Sequence, residues 1–375
     1  MNFLIISHVE HSQKDGLIYG YGPYIKEMNL WLKDVQKVRI VAPMRIGKPD
    51  QIDLPYNHQE VYFDKVPAFS LVSAMSKIMT LIFLPYIVIR IFIAMIWADH
   101  IHLRCPGNMG LLGAVIQVFF PWKSKTVKYA GNWDPESSQP LTYRIQKWII
   151  SNPVLSKNIQ VLVYGEWPNQ SKNIVEFFTA SYHESEKEDI SPRNLEQEIK
   201  LVFVGALSPG KRPMIAVQAL HGLVKNNLNA RLDLMGEGVE REVIESYIEK
   251  NKLSKYITLH GNQNADFVKD KFKSAHFLIL MSKSEGWPKV VAEAMFWGCV
   301  PITSNVSCVN YMIGEGRRGS LVEAKHSSVS DRIQEYIKFP STYEKASLQA
   351  VNWSRQFTLE SFEISISNIL NEGLK

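Results

Sequence analysis

Cysteine is nearly missing from these 375 residues: Cys105, Cys299 and Cys308 are odd in number, widely spaced and contain no CxxC pair. A disulfide framework and a structural zinc site are thereby excluded as organising devices, and a reducing compartment fits. The chain also lacks an Asp-x-Asp pair, an HExxH helix and a GxSxG elbow. Metal-dependent hydrolysis and serine acyl transfer lose their support. Charge of one sign is in small excess: Lys+Arg 42 against Asp+Glu 37 leaves +5, too little over this length to argue for nucleic acid. The first seven residues, Met1 to Ser7, have no basic segment and no small-residue cleavage site, so they read as a buried strand rather than an export signal. There is no repeat and no low-complexity tract.

What is present is ordinary globular composition, 46% hydrophobic and 21% charged, in a chain long enough for two domains. Short apolar runs alternate with helical patterns. Strands are expected at Asn2–Ser7, Val38–Ala42, His100–Leu103, Thr126–Tyr129 and Val161–Tyr164, with a helix at Tyr24–Lys33. After a polar stretch at 183–199, expected to be a linker, a second set begins. Its strands are Lys200–Val204, Ala230–Met235, Ile257–His260, Phe277–Met281 and Val300–Ser304. The helices between them are Pro213–Lys225, Glu240–Asn251, Asp266–Ser274 and Pro288–Trp297. This alternation predicts an α/β protein of two doubly wound domains, residues 1–182 and 200–355, whose facing strand ends make a ligand cleft.

One long apolar run interrupts the first half, Phe69 to Trp97. Three readings compete: a transmembrane helix, burdened by Arg90 and by Pro85 at its middle; plain core; or an interfacial element with Lys77 and Arg90 snorkelling and Trp97 at the boundary. Arg104, Lys123, Lys125 and Lys128 follow it, with Phe119-Phe-Pro-Trp122 among them, a mixture that suits an anionic membrane surface. The bland alternative is that these lysines only solvate a helix face.

Two segments carry chemistry. In the first, Met281-Ser-Lys-Ser-Glu285-Gly286-Trp287-Pro288-Lys289-Val-Val-Ala-Glu293, a strand ends, a glycine loop follows and Pro288 suits a first helical turn. Backbone N–H groups at that helix start, with Lys289 beside them, form a seat for phosphate. Glu285 and Glu293 stand on either side, placed to accept hydrogen bonds from hydroxyls; apolar neighbours make Glu293 a buried carboxylate that needs partners. In the second, Gly205 leads through Gly210 and Lys211 to Arg212-Pro213. This nearly spells the phosphate-binding GxxxxGK[ST] loop, but Arg212 replaces the metal-binding hydroxyl and Pro213 removes an N–H. What remains is a pair of cations at a loop-to-helix junction. Gly20 and Gly22 do not make a dinucleotide fingerprint, because Ile25 takes the third glycine's place; a phosphate contact by close backbone approach stays open.

Glu285-x7-Glu293, with Gly286, Pro288, Ala294, Gly298 and Pro301, resembles the signature of retaining GT-B glycosyltransferases of family 4. Gly205…Lys211 and Gly236-Glu237-Gly238 match the family's other places in order, and the resemblance is specific over residues 200–322. It implies two Rossmann-like domains, with the last helix, about Leu359–Leu370 within 356–375, crossing back to the first. It further implies that Glu293 binds ribose hydroxyls of a nucleotide-sugar donor and Glu285 the transferred sugar. The N–H groups of Gly286, Trp287 and Lys289 would meet the diphosphate, Lys211 would neutralise the leaving phosphate, and Asn262 falls where the base is read. Two departures stand out: Ala206, where the family commonly has Arg (with Arg212 a substitute), and Ala130-Gly131-Asn132-Trp133-Asp134, where the family's histidine is absent and Asn132 or backbone is left to contact the sugar.

The expectation is a retaining, metal-independent glycosyltransferase with no cofactor besides its donor. The acceptor would be a polyprenyl-diphosphate-linked saccharide, the setting surface polysaccharide assembly on the cytoplasmic side of the cell membrane. A nucleotide-sugar epimerase of the same fold and a non-catalytic, membrane-docked assembly partner are the alternatives.

Overall fold

The computed structural model describes residues 1–50, 52–68 and 74–372, without the side chains of 74–79 and 372. The chain divides into two compact units. The first comprises Met1–Phe178 together with the chain from Phe362 onward, and the second is Thr179–Ser361.

In unit 1 the elements run β1 (Asn2–Ile6), β2 (His11–Lys14), β3 (Leu17–Tyr21), α1 (Gly22–Trp31), β4 (Lys37–Pro43), β5 (Asp53–Pro55) and β6 (Val61–Val66). They continue with α2 (Ala74–Trp97), β7 (His100–Cys105), α3 (Asn108–Ile116), β8 (Ser124–Tyr129), α4 (Leu141–Ser151), β9 (Ile159–Tyr164) and β10 (Ile174–Phe177). Seven strands form a parallel sheet in the order β10-β9-β8-β7-β1-β4-β6. Both faces are covered, so the strands read as near-continuous apolar runs: Phe3, Leu4, Ile5 and Ile6 are all fully buried. A small antiparallel sheet, β2-β3-β5, sits apart; the sequence reading did not foresee it.

Unit 2 repeats the plan with β11 (Ile199–Val204), α5 (Pro213–Lys225), β12 (Ala230–Met235), α6 (Arg241–Lys250), β13 (Ile257–Gly261), α7 (Ala265–Ser274) and β14 (Phe277–Leu280). Then come α8 (Lys289–Phe296), β15 (Val300–Thr303), α9 (Val309–Ile313), β16 (Ser320–Leu321), α10 (His326–Lys338) and α11 (Pro340–Ser354). Its six strands are parallel, in the order β13-β12-β11-β14-β15-β16. The final helix, α12 (Leu359–Glu372), spans the second unit boundary; Phe362 packs on Phe177 and Phe178 of unit 1, and Glu363 pairs with Lys33.

The stretch 183–199 is not a free linker. It belongs to unit 2, where the Arg193 guanidinium donates to the carbonyls of Phe272, Lys273, Trp297 and Gly298 at 2.6–3.1 Å. It thereby satisfies the orphan carbonyls at the C-terminal ends of α7 and α8. Composition made this segment look solvated; half-buried Arg193, ion pairs from Glu186 and Glu188 to α7, and buried Leu195 fix it.

The long apolar run also needs correction. Its first part, Phe69–Ser73, and the Lys77 side chain lie outside the described residues. The rest is α2, one side of which joins the hydrophobic core of the unit. Ile87, Ile91, Ala94 and Met95 are fully buried against the sheet, while the opposite side is exposed. Arg90 does not snorkel but pairs with Asp64 on β6, as does Arg39. Trp97 is half-buried, edge-on to Tyr62 and under Arg39. The basic cluster expected after it does not exist as a surface. Lys125 and Lys128 are buried, their ammoniums donating to Phe120 O and Phe178 O. Arg104 pairs with Glu27, and Lys123 donates to the carbonyls of Ile96 and Ala98 at the end of α2.

Candidate functional site

The strand order of unit 2 reverses at β11, which has β12 on one side and β14 on the other. Loops leaving such neighbours at their carboxyl ends diverge and leave a crevice. Three loops meet there, and their backbones are bonded to one another. Gly205 N donates to Met235 O (2.9 Å), Leu207 N to Glu237 O (2.8 Å), Gly236 N to Gly261 O (2.8 Å) and Lys283 N to Gly210 O (2.8 Å). Gly236 has a φ of +142°, and a Cβ there would lie 2.0 Å from Gly205 O. No side chain fits that crossing, which is the physical reason for glycine.

Across this crevice Lys211 Nζ donates to Glu285 Oε1. The carboxylate side chain is 9% exposed and the ammonium 31%, so the pair is half withdrawn from water. The Glu285 loop is held from behind: its N–H donates to Ser307 Oγ (3.2 Å), and the Cys308 thiol donates to Gly286 O (2.8 Å). Burial pushes that thiol's pKa up, so it stays a neutral donor. Trp287 is buried, stacked on Trp353 (6.2 Å between centroids) and edge-on to Phe357 (5.8 Å), anchoring the loop to α11 and the segment that follows. Pro288 is the N-cap rather than the first helical residue, and Val291 N bonds back to Pro288 O (2.9 Å). The first turn of α8, with Lys289 half-buried in it, therefore follows directly on Glu285.

Glu293 sits one turn further on. It is half-buried rather than fully buried, and its partner is a residue the sequence reading missed: Ser181 Oγ donates to Glu293 Oε1 at 2.5 Å. Neighbouring Tyr182 packs on Phe296 and Trp297 (4.9 and 5.4 Å between centroids). Burial, reinforced by the nearby Glu293 charge, raises its phenol pKa. Thr179–Tyr182, Lys289 and Glu293 line one small cavity. Arg212 takes a left-handed φ of +51° as N-cap of α5, directly after Lys211. Asn262 is exposed just beyond β13, next to Gly261, whose carbonyl holds Gly236.

The residues expected in unit 1 fare differently. Gly20 lies inside β3, paired with His11 and Leu54, and Gly22 opens α1 with its N–H given to Ile52 O (3.1 Å). Both are buried, so no open glycine loop exists there for phosphate. Asn132 and Asp134 build their own turn: Asn132 Oδ1 accepts from Asp134 N, and Asp134 Oδ1 from Glu136 N, both at 2.9 Å. Unit 1 instead has a cavity of about 280 Å³ at the ends of β1, β4 and β7, lined among others by His8, Glu10, Asn108 and Tyr143. Burial and the nearby Arg104 charge lower the His8 pKa.

Residues 184–353 match the family described as "Glycosyl transferases group 1". The matched stretch lies within unit 2. The chain is 26% identical over 172 residues to an uncharacterized glycosyltransferase of Methanocaldococcus jannaschii, covering 46% of this chain and 47% of that protein. It is 27% identical over 182 residues to a poly(glycerol-phosphate) alpha-glucosyltransferase of Bacillus subtilis, covering 48% and 27%. The matches thus span less than half the length of these relatives. Among solved structures, Anabaena HepE in complex with UDP and glucose superposes with a TM-score of 0.66 at 14% identity, covering 98% of this chain and 99% of that one. The two-unit fold is GT-B.

The matched stretch, 184–353, holds every residue that the sequence reading assigned to the donor. The structure brings Lys211 to Glu285 and sets Gly205, Gly286, Trp287 and Pro288 in the bonded loops around them, with Lys289 in the first turn of α8. Ser181, Ser307 and Cys308 were missed. Ser181 lies 112 positions from Glu293, and no local pattern links the two.

Proposed function

We propose that the protein is a glycosyltransferase moving a sugar from a nucleotide diphosphate sugar to a lipid-linked saccharide, with retention at the anomeric carbon. The observation that carries this reading is the Lys211–Glu285 pair in the crevice of unit 2, next to the first turn of α8. A departing diphosphate needs positive charge, and Lys211, Arg212, Lys289 and the helix N-terminus supply it without a metal. Glu285 and Glu293 accept hydrogen bonds from sugar and ribose hydroxyls, holding the donor rather than reacting with it. No carboxylate or thiol of the site is set up as a covalent nucleophile: Glu285 is taken by Lys211, and the Cys308 thiol is neutral and turned to Gly286 O. Retention then follows from attack on the leaving-phosphate side, with that phosphate taking the acceptor hydroxyl's proton. The acceptor is taken to be a polyprenyl-diphosphate-linked glycan at the cytoplasmic face of the cell membrane; the exposed apolar side of α2 supports a lipid context. The similarity to a poly(glycerol-phosphate) alpha-glucosyltransferase of Bacillus subtilis supports sugar transfer to a phosphate-bearing acceptor.

The test is calorimetric titration with UDP-, GDP- and ADP-sugars. One of them binds wild-type protein, and Glu293→Ala loses at least about tenfold in affinity, the scale of a charged hydrogen bond. Unchanged affinity in Glu293→Ala overturns the assignment.

A further inference from the structure

The surface of unit 1 carries a second feature, which the donor chemistry does not use. Three consecutive helices, α2, α3 and α4, pack on one face of the seven-stranded sheet and share a single buried core with it. Their outer sides are apolar. On α2, Leu81, Ile82, Ile89, Phe92, Ile93 and Ile96 recur at helical spacing and are exposed, Leu81 by 70% and Ile89 by 56%. Beyond α3, Phe119 and Trp122 are exposed, and Phe120 joins Phe92 to Trp122 through ring contacts of 5.1 and 5.9 Å. On α4, Leu141, Ile145 and Trp148 continue the pattern, Trp148 being 61% exposed.

We propose that this three-helix face is a membrane-docking surface that lies on anionic phospholipid, with the outer side chains of α2 among the acyl chains and Trp122 and Trp148 at headgroup level. An apolar area of this extent marks an interaction site, and its chemistry selects the occupant. Between residues 74 and 158 the acidic residues are Asp99, Asp134 and Glu136, none of them on a helix. Exposed cations border the area instead: Lys65 on β6, whose carbonyl accepts from Tyr86 of α2; Arg144 on α4; and Lys157, next to Asn158, which bonds Pro121 O. A cationic rim around an acid-free apolar centre complements an anionic lipid surface. It opposes a second copy of the same face, which would set cation against cation.

The helix lies on the bilayer rather than crossing it. Thr80–Trp97 is long and apolar enough to cross, and 28% of it is buried within the unit. That buried share is the seam on the sheet, with the Arg90–Asp64 pair beside it. Crossing would strip both away and carry Arg90 into hydrocarbon. The surface extends the lipid-linked acceptor reading, but its test uses neither donor nor acceptor, so the two fail separately.

The test is flotation of the full chain with phosphatidylcholine vesicles, with and without phosphatidylglycerol, at low and high salt. The protein floats with the anionic vesicles, and salt weakens binding. Ile89→Glu lowers the bound fraction about tenfold or more, because a charge replaces an inserted side chain. Arg144→Glu lowers it by a smaller factor, and only at low salt. Circular dichroism and thermal melting confirm that both variants fold; Ile89→Ser replaces the first if it aggregates. Absence of flotation with anionic vesicles at low salt overturns the proposal. So does equal flotation with neutral ones, or a stable dimer in sedimentation that Ile89→Glu dissociates.

Discussion

The two units solve the same topological problem and fill it differently. In each, a parallel sheet reverses its strand order beside its first strand, between β1 and β7 in unit 1 and between β11 and β14 in unit 2. In unit 2 the crevice is crowded with its own chemistry: backbone loops bonded loop to loop, and a lysine closed onto a glutamate. In unit 1 it stays a cavity of about 280 Å³ edged by His8 and Glu10. The lesson is that sheet topology places a crevice, while the loops decide whether it is rigid and charged or open and polar. A fixed anionic donor suits the first, and a bulkier polar group suits the second.

The largest expected difference between the units is their response to acid. Burial holds His11 near 4 and His100 near 3 in unit 1, and lowers His102 as well; in unit 2 burial holds His276 near 4. Each folded value lies below the ordinary 6.5. The stability linked to these groups is therefore full above pH 6.5 and is lost as pH falls towards 4. These shifts correspond to about 3 kcal/mol for His11 and His276 and about 5 kcal/mol for His100. Unit 1, with more of them, is expected to open first, and hydrogen exchange followed peptide by peptide between pH 7 and pH 4.5 checks the order. Next in size, Lys211→Ala is expected to slow sugar transfer by about 10²–10³ while leaving the fold intact, as removal of one charge-stabilising donor does. Steady-state rates compared with melting temperatures separate the two effects.

A smaller effect probes the unit 1 crevice. Gly107 has a φ of +152°, and a Cβ there would lie 2.8 Å from His8 Nδ1. Gly107→Ala should cost about 1–2 kcal/mol of backbone strain and push the imidazole aside. A thermal melt gives the cost, and the His8 resonances report the displacement. Smallest is Ser181→Ala, which frees Glu293 from its internal hydroxyl. Donor affinity should rise about two- to tenfold, the net worth of one ordinary hydrogen bond. A fall in calorimetry would show instead that Ser181 helps to hold the ligand.

Where the signal was local, the sequence carried it. The strand–glycine–proline–helix run from Met281 to Glu293 announces its own turn, and the alternation of apolar runs in unit 2 predicts five of its six parallel strands to within a residue or two, missing the short β16. What failed was whatever depends on the third dimension. Lys125 and Lys128 read as surface charge because composition says nothing of which way a strand residue points; both turn into the unit, and Lys128 lies between the rings of Tyr164 and Phe177. The stretch 183–199 read as solvated because the target of Arg193 lies 79 to 105 positions away. The expected first boundary, residue 182, fell four residues beyond the division at 178, because Tyr182 packs on the aromatic residues of α8 and its flank.

The return of the chain near residue 360 has a consequence for engineering. Leu359 N donates to Tyr182 O (2.9 Å), and His183 pairs with Glu360, so entry to and exit from unit 2 are stitched together side by side. A module whose ends are already neighbours loses little chain entropy on closure. Thr179–Ser361 thus has the topology of an insertion: cut out as one piece it should fold alone, and its old termini can be spliced by a short bridge to give a permuted version opened at a surface turn.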